Sequence, residues 1–141
     1  MSQNVKLHYD IDGSDFTVAG QASSHLKKVL KKLGVSTDVI RKAAISMYEG
    51  EINTVIHGKG GAADVEISTD KLTITFTDNG PGIKDIAQAM QEGFSTATNE
   101  ARELGFGAGM GLPNMKKYSD ELNITSAPGQ GTTVEIIIQL A

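Results

Sequence analysis

Hydrophobic periodicity changes along this chain in blocks, and the order of those blocks restricts the folds open to it. Val5, Leu7, Tyr9 and Ile11 alternate with polar residues, the period of a half-buried strand. Ala22, Leu26, Val29, Leu30 and Leu33 then recur at helical spacing, and Gly34 stops the pattern. Ser36-Thr37-Asp38 offers an N-cap for a second helix carrying Val39, Ile40, Ala43, Ala44, Met47, Ile52, Val55 and Ile56. That helix is expected to end near Gly58-Lys-Gly-Gly61. Strands follow over 64–69 and 72–76, with Asp70-Lys71 as the hairpin turn, and Asn79-Gly80-Pro81-Gly82 breaks the sheet. A short helix over 84–92, a long loop over 93–110, a helix over about 111–119, and strands over 121–126 and 132–140 complete the chain. Helices and hairpins in separate blocks predict an α+β fold: a two-layer sandwich, its sheet mixed but mostly antiparallel, with helices on one face.

The chain has 141 residues, enough for one domain with its own core, and the whole of 1–141 is read as that domain. Cysteine is absent, which removes disulfides and thiolate chemistry. No signal peptide and no apolar stretch of about 20 residues is present, so a cytoplasmic protein with no membrane partner is expected. A net charge of −4 argues against nucleic acid as the partner. It leaves a nucleotide open, since backbone N–H groups and a metal can manage a triphosphate.

Four glycines alternate across Gly105-Phe-Gly107-Ala-Gly109-Met-Gly111, directly before an apolar-periodic stretch at Leu112, Met115 and Tyr118. Glycine surrenders the most backbone freedom on folding. Such a run is either a mobile loop or a place where backbone must come close to something. Running into a helix start, it suits a phosphate, because free N–H groups and the helix dipole favour an anion there. The Walker pattern is absent. The Rossmann fingerprint fails too, because Met110 occupies its third glycine position and a long loop replaces the strand it requires.

Two other segments carry chemistry. In Glu49-Gly-Glu-Ile-Asn53 a spacing of four places Glu49 and Asn53 on one helix face, one turn apart. An amide oxygen suits Mg²⁺, which takes few protein ligands plus phosphate oxygens. A carboxylate one turn away can take a proton from a hydroxyl or a water. A solvated polar face would account for the same residues. Gly50 between them costs about 1 kcal/mol relative to alanine, which suggests a close approach. In Asp78-Asn-Gly80-Pro-Gly82-Ile83 a strand-end carboxylate can present its oxygens to an amino group such as adenine N6. A plain Asx turn uses the same residue types.

Taken together, Glu-x-x-x-Asn on a helix, Asp-x-Gly-x-Gly after a strand and Gly-x-Gly-x-Gly into a helix resemble the GHKL ATPase superfamily, whose members are histidine kinase-like ATPases. Gly131-Thr132 before the last strand is similar to its fourth motif. The resemblance covers about Ala19 to the end and implies a Bergerat-type ATP-binding fold. Tyr48–His57 and Gly107–Asp120 are closest to the small anti-sigma factor serine kinases. The resemblance implies that Asn53 holds Mg²⁺ on the triphosphate and that Asp78 accepts from the adenine amino group, helped by Thr132 through water. It places Gly80, Gly82 and Ile83 around the base. It makes 93–110 a lid, and gives Gly107, Gly109, Met110, Gly111 and Leu112 to the phosphates. Glu49 becomes the general base for a substrate serine. The implied cofactors are ATP and Mg²⁺. The implied partners are an anti-anti-sigma (STAS-domain) protein and a sigma factor, with homodimerisation. An alternative of the same fold is an ATP-dependent switch that docks on a partner, or activates a phosphatase, without transferring phosphate. A histidine-kinase catalytic domain is disfavoured, because the residues before the first helix read as strand and leave no room for a helical hairpin. The three histidines, His8, His25 and His57, are read as packing or pocket-edge residues.

Overall fold

The computed structural model describes residues 4–12, 20–56, 60–78, 80, 111–126, 129 and 131–140. Its elements are β1 (Val5–Asp12), α1 (Gln21–Lys32), α2 (Thr37–Ile56), β2 (Gly60–Ile67), β3 (Lys71–Asp78), α3 (Gly111–Lys117), β4 (Glu121–Ser126) and β5 (Thr132–Gln139). The strands form one sheet in the order β1-β2-β3-β5-β4. All four pairings are antiparallel, the antiparallel extreme of the expected sheet.

Alternation in the strands produces the layering. Leu72, Ile74 and Phe76 of β3 and Val134, Ile136 and Ile138 of β5 are buried, while Thr73 and Thr75 of β3 and Glu135 and Ile137 of β5, between them, turn to the other side. Against this inner face pack Leu26 and Leu30 of α1, Ala43, Met47 and Val55 of α2, and Met115 of α3. Complete burial of an aliphatic side chain of this size is worth roughly 1.5–3 kcal/mol.

Local signals set the helix ends. Gly34, at φ +77°, follows Leu33, the C-cap of α1. Its N–H donates to Lys31 O and the Val35 N–H donates to Leu30 O, which ends the helix in a Schellman motif. Ser36 Oγ accepts from the Val39 N–H at 3.4 Å and caps α2, as its position before Thr37 predicts.

Two boundaries differ from the sequence-based expectation. β2 begins at Gly60, so Gly60 and Gly61 belong to the sheet and not to the end of α2. The hairpin turns at Thr69-Asp70, because the Ser68 N–H donates to Lys71 O and Ile67 pairs with Leu72. The helix expected over 84–92 and the lid expected over 93–110 lie outside the described residues.

Candidate nucleotide site

Four segments meet at one end of the sandwich. Only residues 57–59 separate the end of α2 from Gly60, so Asn53 lies near the start of β2. There Gly61 pairs with Asp78 at the end of β3, and Asp78 pairs with Thr132 at the start of β5. A Cβ on Gly61 would meet the Thr77 carbonyl oxygen and lie 3.1 Å from Asp78 Cα. That close approach explains the glycine.

Asp78 and Thr132 are cross-strand partners on the inner face, where opposed side chains are neighbours. Asp78 Oδ1 accepts from the Gly80 N–H at 2.9 Å, an Asx turn that fixes the carboxylate. Among the described residues its second oxygen accepts no hydrogen bond. Thr132 is 6% exposed, with its hydroxyl 2.9 Å from Ser126 Oγ, and Ser126 Oγ donates to Gly131 O at 3.0 Å. With that Ser126 proton on the carbonyl, the Thr132 hydroxyl donates to Ser126 and keeps its own lone pairs as acceptors. The pair therefore offers acceptors to an amino group.

Glu49 and Asn53 are both half-buried on α2, one turn apart. The flank that carries them faces α3: Asn114 Nδ2 donates to Glu49 Oε1 at 3.5 Å, the outer limit of a hydrogen bond. Burial raises the Glu49 carboxyl above its ordinary value of 4.5, and the Asn114 bond opposes that rise. A carboxylate raised this way is a stronger base than one in water. Among the described residues the Asn53 amide has no hydrogen-bond partner, so its oxygen is available to a hard cation.

Gly50 answers a different demand from the one its place between Glu49 and Asn53 suggests. A Cβ there would lie within 2.7 Å of three ring atoms of Phe76. The close approach is by a core ring, and it seats α2 on the sheet.

Gly111 opens α3 and Leu112 follows in its first turn. Gly82, Ile83, Gly107, Gly109 and Met110 lie outside the described residues, as does His57. Of the lysines on α3, Lys117 rests its ammonium 5.3 Å from the centre of the Tyr118 ring, a cation–π contact. His8 is exposed, with Nδ1 2.6 Å from Asp64 Oδ1 and Nε2 3.0 Å from Asp10 Oδ1, and these acceptors raise its pKa. His25 Nδ1 meets the Tyr9 hydroxyl at 2.7 Å.

The sequence reading missed Asn114, Ser126 and Glu51. Asn114 is 65 residues from its partner Glu49, and no spacing rule joins them. Glu51 lies inside the Glu49–Asn53 motif yet points elsewhere. The residue is 4% exposed, and its carboxylate accepts from the N–H groups of Gly20 at 2.9 Å, Ala22 at 3.4 Å and Ser23 at 3.3 Å. It caps α1 from another helix, at a start where Gly20 supplies no side chain.

An antiparallel sheet under helices, with a carboxylate and an amide on one helix flank and a fixed aspartate at the strand ends, defines a nucleotide-binding α+β sandwich. The family model described as "Histidine kinase-, DNA gyrase B-, and HSP90-like ATPase" matches residues 52–141, and the chain belongs to that family. An anti-sigma F factor of Thermoanaerobacter sp. (strain X514) is 42% identical over 100 residues, 67% of this chain. That alignment spans 65% of the relative's own length. The serine/threonine-protein kinase RsbT of Bacillus subtilis (strain 168) is 32% identical over 115 residues, 79% of this chain and 80% of its own. A crystal structure of RsbU and RsbW domains from Mycobacterium tuberculosis matches 96% of this chain and 32% of that one. Its TM-score is 0.65 at 17% identity, a likeness of fold.

Proposed function

We propose that residues 1–141 form a single-domain, cytoplasmic anti-sigma regulatory factor that binds ATP and phosphorylates a serine of an anti-anti-sigma (STAS-domain) partner. The observation that carries the reading is Glu49: half-buried, raised by that burial, and one turn from Asn53, whose amide has no hydrogen-bond partner among the described residues. The names of the relatives, anti-sigma F factor and serine/threonine-protein kinase, support the class.

In this reading Asp78 and Thr132 accept from the adenine amino group and so orient the nucleotide at the sheet end. Gly80, Gly82 and Ile83 surround the base, and Gly107, Gly109, Met110, Gly111 and Leu112 offer N–H groups to the phosphates. Glu49 Oε takes the proton of the substrate serine hydroxyl as the serine oxygen bonds to the γ-phosphorus. The bond from that phosphorus to the bridging oxygen breaks, and ADP leaves with the electron pair. Asn53 would hold Mg²⁺, which neutralises charge on the triphosphate. Phosphoryl transfer asks a protein mainly for positioning and charge stabilisation.

The test is to incubate the protein with γ-labelled ATP and STAS-domain proteins encoded beside it. Phosphoserine that disappears with Glu49→Ala is the expected result. A stable ATP-dependent complex without label would overturn phosphotransfer in favour of a binding switch.

A further inference from the structure

The outer face of α1 stands apart from the nucleotide site, and three independent features converge on it. The first is charge. The chain has 13 basic and 17 acidic residues. Four of the basic ones, Lys27, Lys28, Lys31 and Lys32, lie on α1, which has no acidic residue. All four are exposed. None has a carboxylate within ion-pair distance among the described residues, where Lys42–Asp38 is the sole lysine pair. Lys31 and Lys32 complement the C-terminal end of the helix dipole. Lys27 and Lys28 sit mid-helix, where the dipole gives no reason for them.

The second feature is apolar exposure. Among the described residues the exposed large hydrophobic side chains are Leu33, at 49%, and Tyr48, at 37%. Both border α1. Leu33 is its C-cap, and Tyr48 packs against Gly20 at its start. Single exposed apolar residues are ordinary, but two flanking one basic face form a rim. The third feature is shape. A depression of about 490 Å³ opens beside the start of α1, lined by Gly20, Ser24, His25, Lys28 and Tyr48. It is large enough for an apolar side chain, with a lysine and an imidazole at its edge. The N–H groups of Gly20, Ala22 and Ser23 are already taken by Glu51. An acidic ligand is therefore drawn by the lysine side chains and not by the helix end.

We propose that this face docks an acidic segment of a partner protein, whose carboxylates meet Lys27 and Lys28 and whose apolar side chain enters the depression against Tyr48. A duplex nucleic acid fits less well: it has no apolar side chain for the depression, and the rest of the molecule is acidic and repels it. None of the candidate nucleotide-site residues lies on α1, whose inner side buries Leu26 and Leu30 in the core while its four lysines are exposed. The inference deepens the partner side of the proposed function and rests on it only in requiring a protein partner.

The experiment uses the full chain, isotopically labelled, and a short fluorescent peptide of repeated Glu-Glu-Leu as the probe. At about 0.15 M salt, where long-range charge effects are screened, saturable binding with amide shifts confined to α1 and around Tyr48 is expected. Lys27→Glu with Lys28→Glu should weaken binding on the order of tenfold. Tyr48→Ala should weaken it several-fold at unchanged salt dependence. MgATP affinity of the double lysine variant should match the wild type. Undiminished peptide binding in both variants, shifts centred on the sheet, or equal affinity for a short DNA duplex or anionic vesicles would each overturn the proposal. Loss of MgATP binding by the wild type would instead sink the nucleotide reading and leave the docking face standing.

Discussion

At the scale of single residues the site is decided by what each polar atom has left to offer. Asp78 has one oxygen occupied by the Gly80 N–H, and that bond orients the other. Glu49 is held between two opposed influences, burial raising its pKa and Asn114 lowering it. The sign for stability follows. A carboxyl raised in the fold binds its proton more tightly there than in the unfolded chain. Its contribution is therefore greatest below the ordinary carboxylate range and is lost as pH rises through its folded value. Asn114→Ala removes the lowering influence, so the Glu49 pKa should rise further. A carbon-13 titration of the Glu49 carboxyl checks this, and the acid limb of phosphotransfer should move to higher pH with it. An unchanged titration would mean that Asn114 does not act on Glu49. As candidates, Asp78, Glu49 and Asn53 were legible in the sequence because each belongs to a short local pattern. Asn114 and Ser126 were not. Their partnerships, Asn114 with Glu49 and Ser126 with Thr132, exist only after α2, α3 and the last hairpin have assembled.

At the scale of elements α2 divides its work between two flanks. One turns Glu49 and Asn53 toward α3; the other buries Met47 and Val55 in the core and, between them at a spacing of four, sends Glu51 to the start of α1. Periodicity identified the helix but could not separate these flanks, since polar residues on different sides look alike in a linear string. The same limit explains the glycines. Gly60 and Gly61 resemble a helix stop, yet Gly61 is needed inside the sheet because β3 passes so close. Gly50 makes the clearest test. Alanine would gain about 1 kcal/mol of helix propensity at an ordinary position. Here its Cβ would lie within 2.7 Å of the Phe76 ring, and the overpacking cost of about 1–3 kcal/mol should exceed the gain. Gly50→Ala should therefore lower the urea midpoint, and pairing it with Phe76→Leu should recover part of the loss. A more stable Gly50→Ala protein would show that α2 does not seat on Phe76.

At the scale of the whole molecule the sheet order brings sequence-distant motifs to one end. Asp78 ends β3, Thr132 starts β5 beside it, and Gly61, second residue of β2, pairs with Asp78 on the other side. The motif order made the fold class legible; the strand order, which places β5 between β3 and β4, was not, because antiparallel pairing partners leave no mark in either strand alone. Gathering the site from three strands and two helices links ligand binding to global stability. A ligand that binds only the folded state at about 100 times its dissociation constant adds about 2.7 kcal/mol. For a domain of this size that is a rise of several degrees in melting temperature. MgATP should produce such a rise in the wild type. Asp78→Asn keeps an acceptor for the Gly80 N–H but can turn an amino group toward the adenine amino group, donor against donor, so the rise should vanish while the ligand-free melting temperature stays near wild type. Asn53→Ala should behave differently. It leaves the base contacts intact, so ATP with chelator should stabilise it as it does the wild type. The extra stabilisation that Mg²⁺ gives the wild type should be absent. Thermal unfolding of the three proteins with ATP, with MgATP and without nucleotide separates these outcomes. A full MgATP shift in Asp78→Asn would remove Asp78 from the base site. A full Mg²⁺ increment in Asn53→Ala would move the metal to another oxygen.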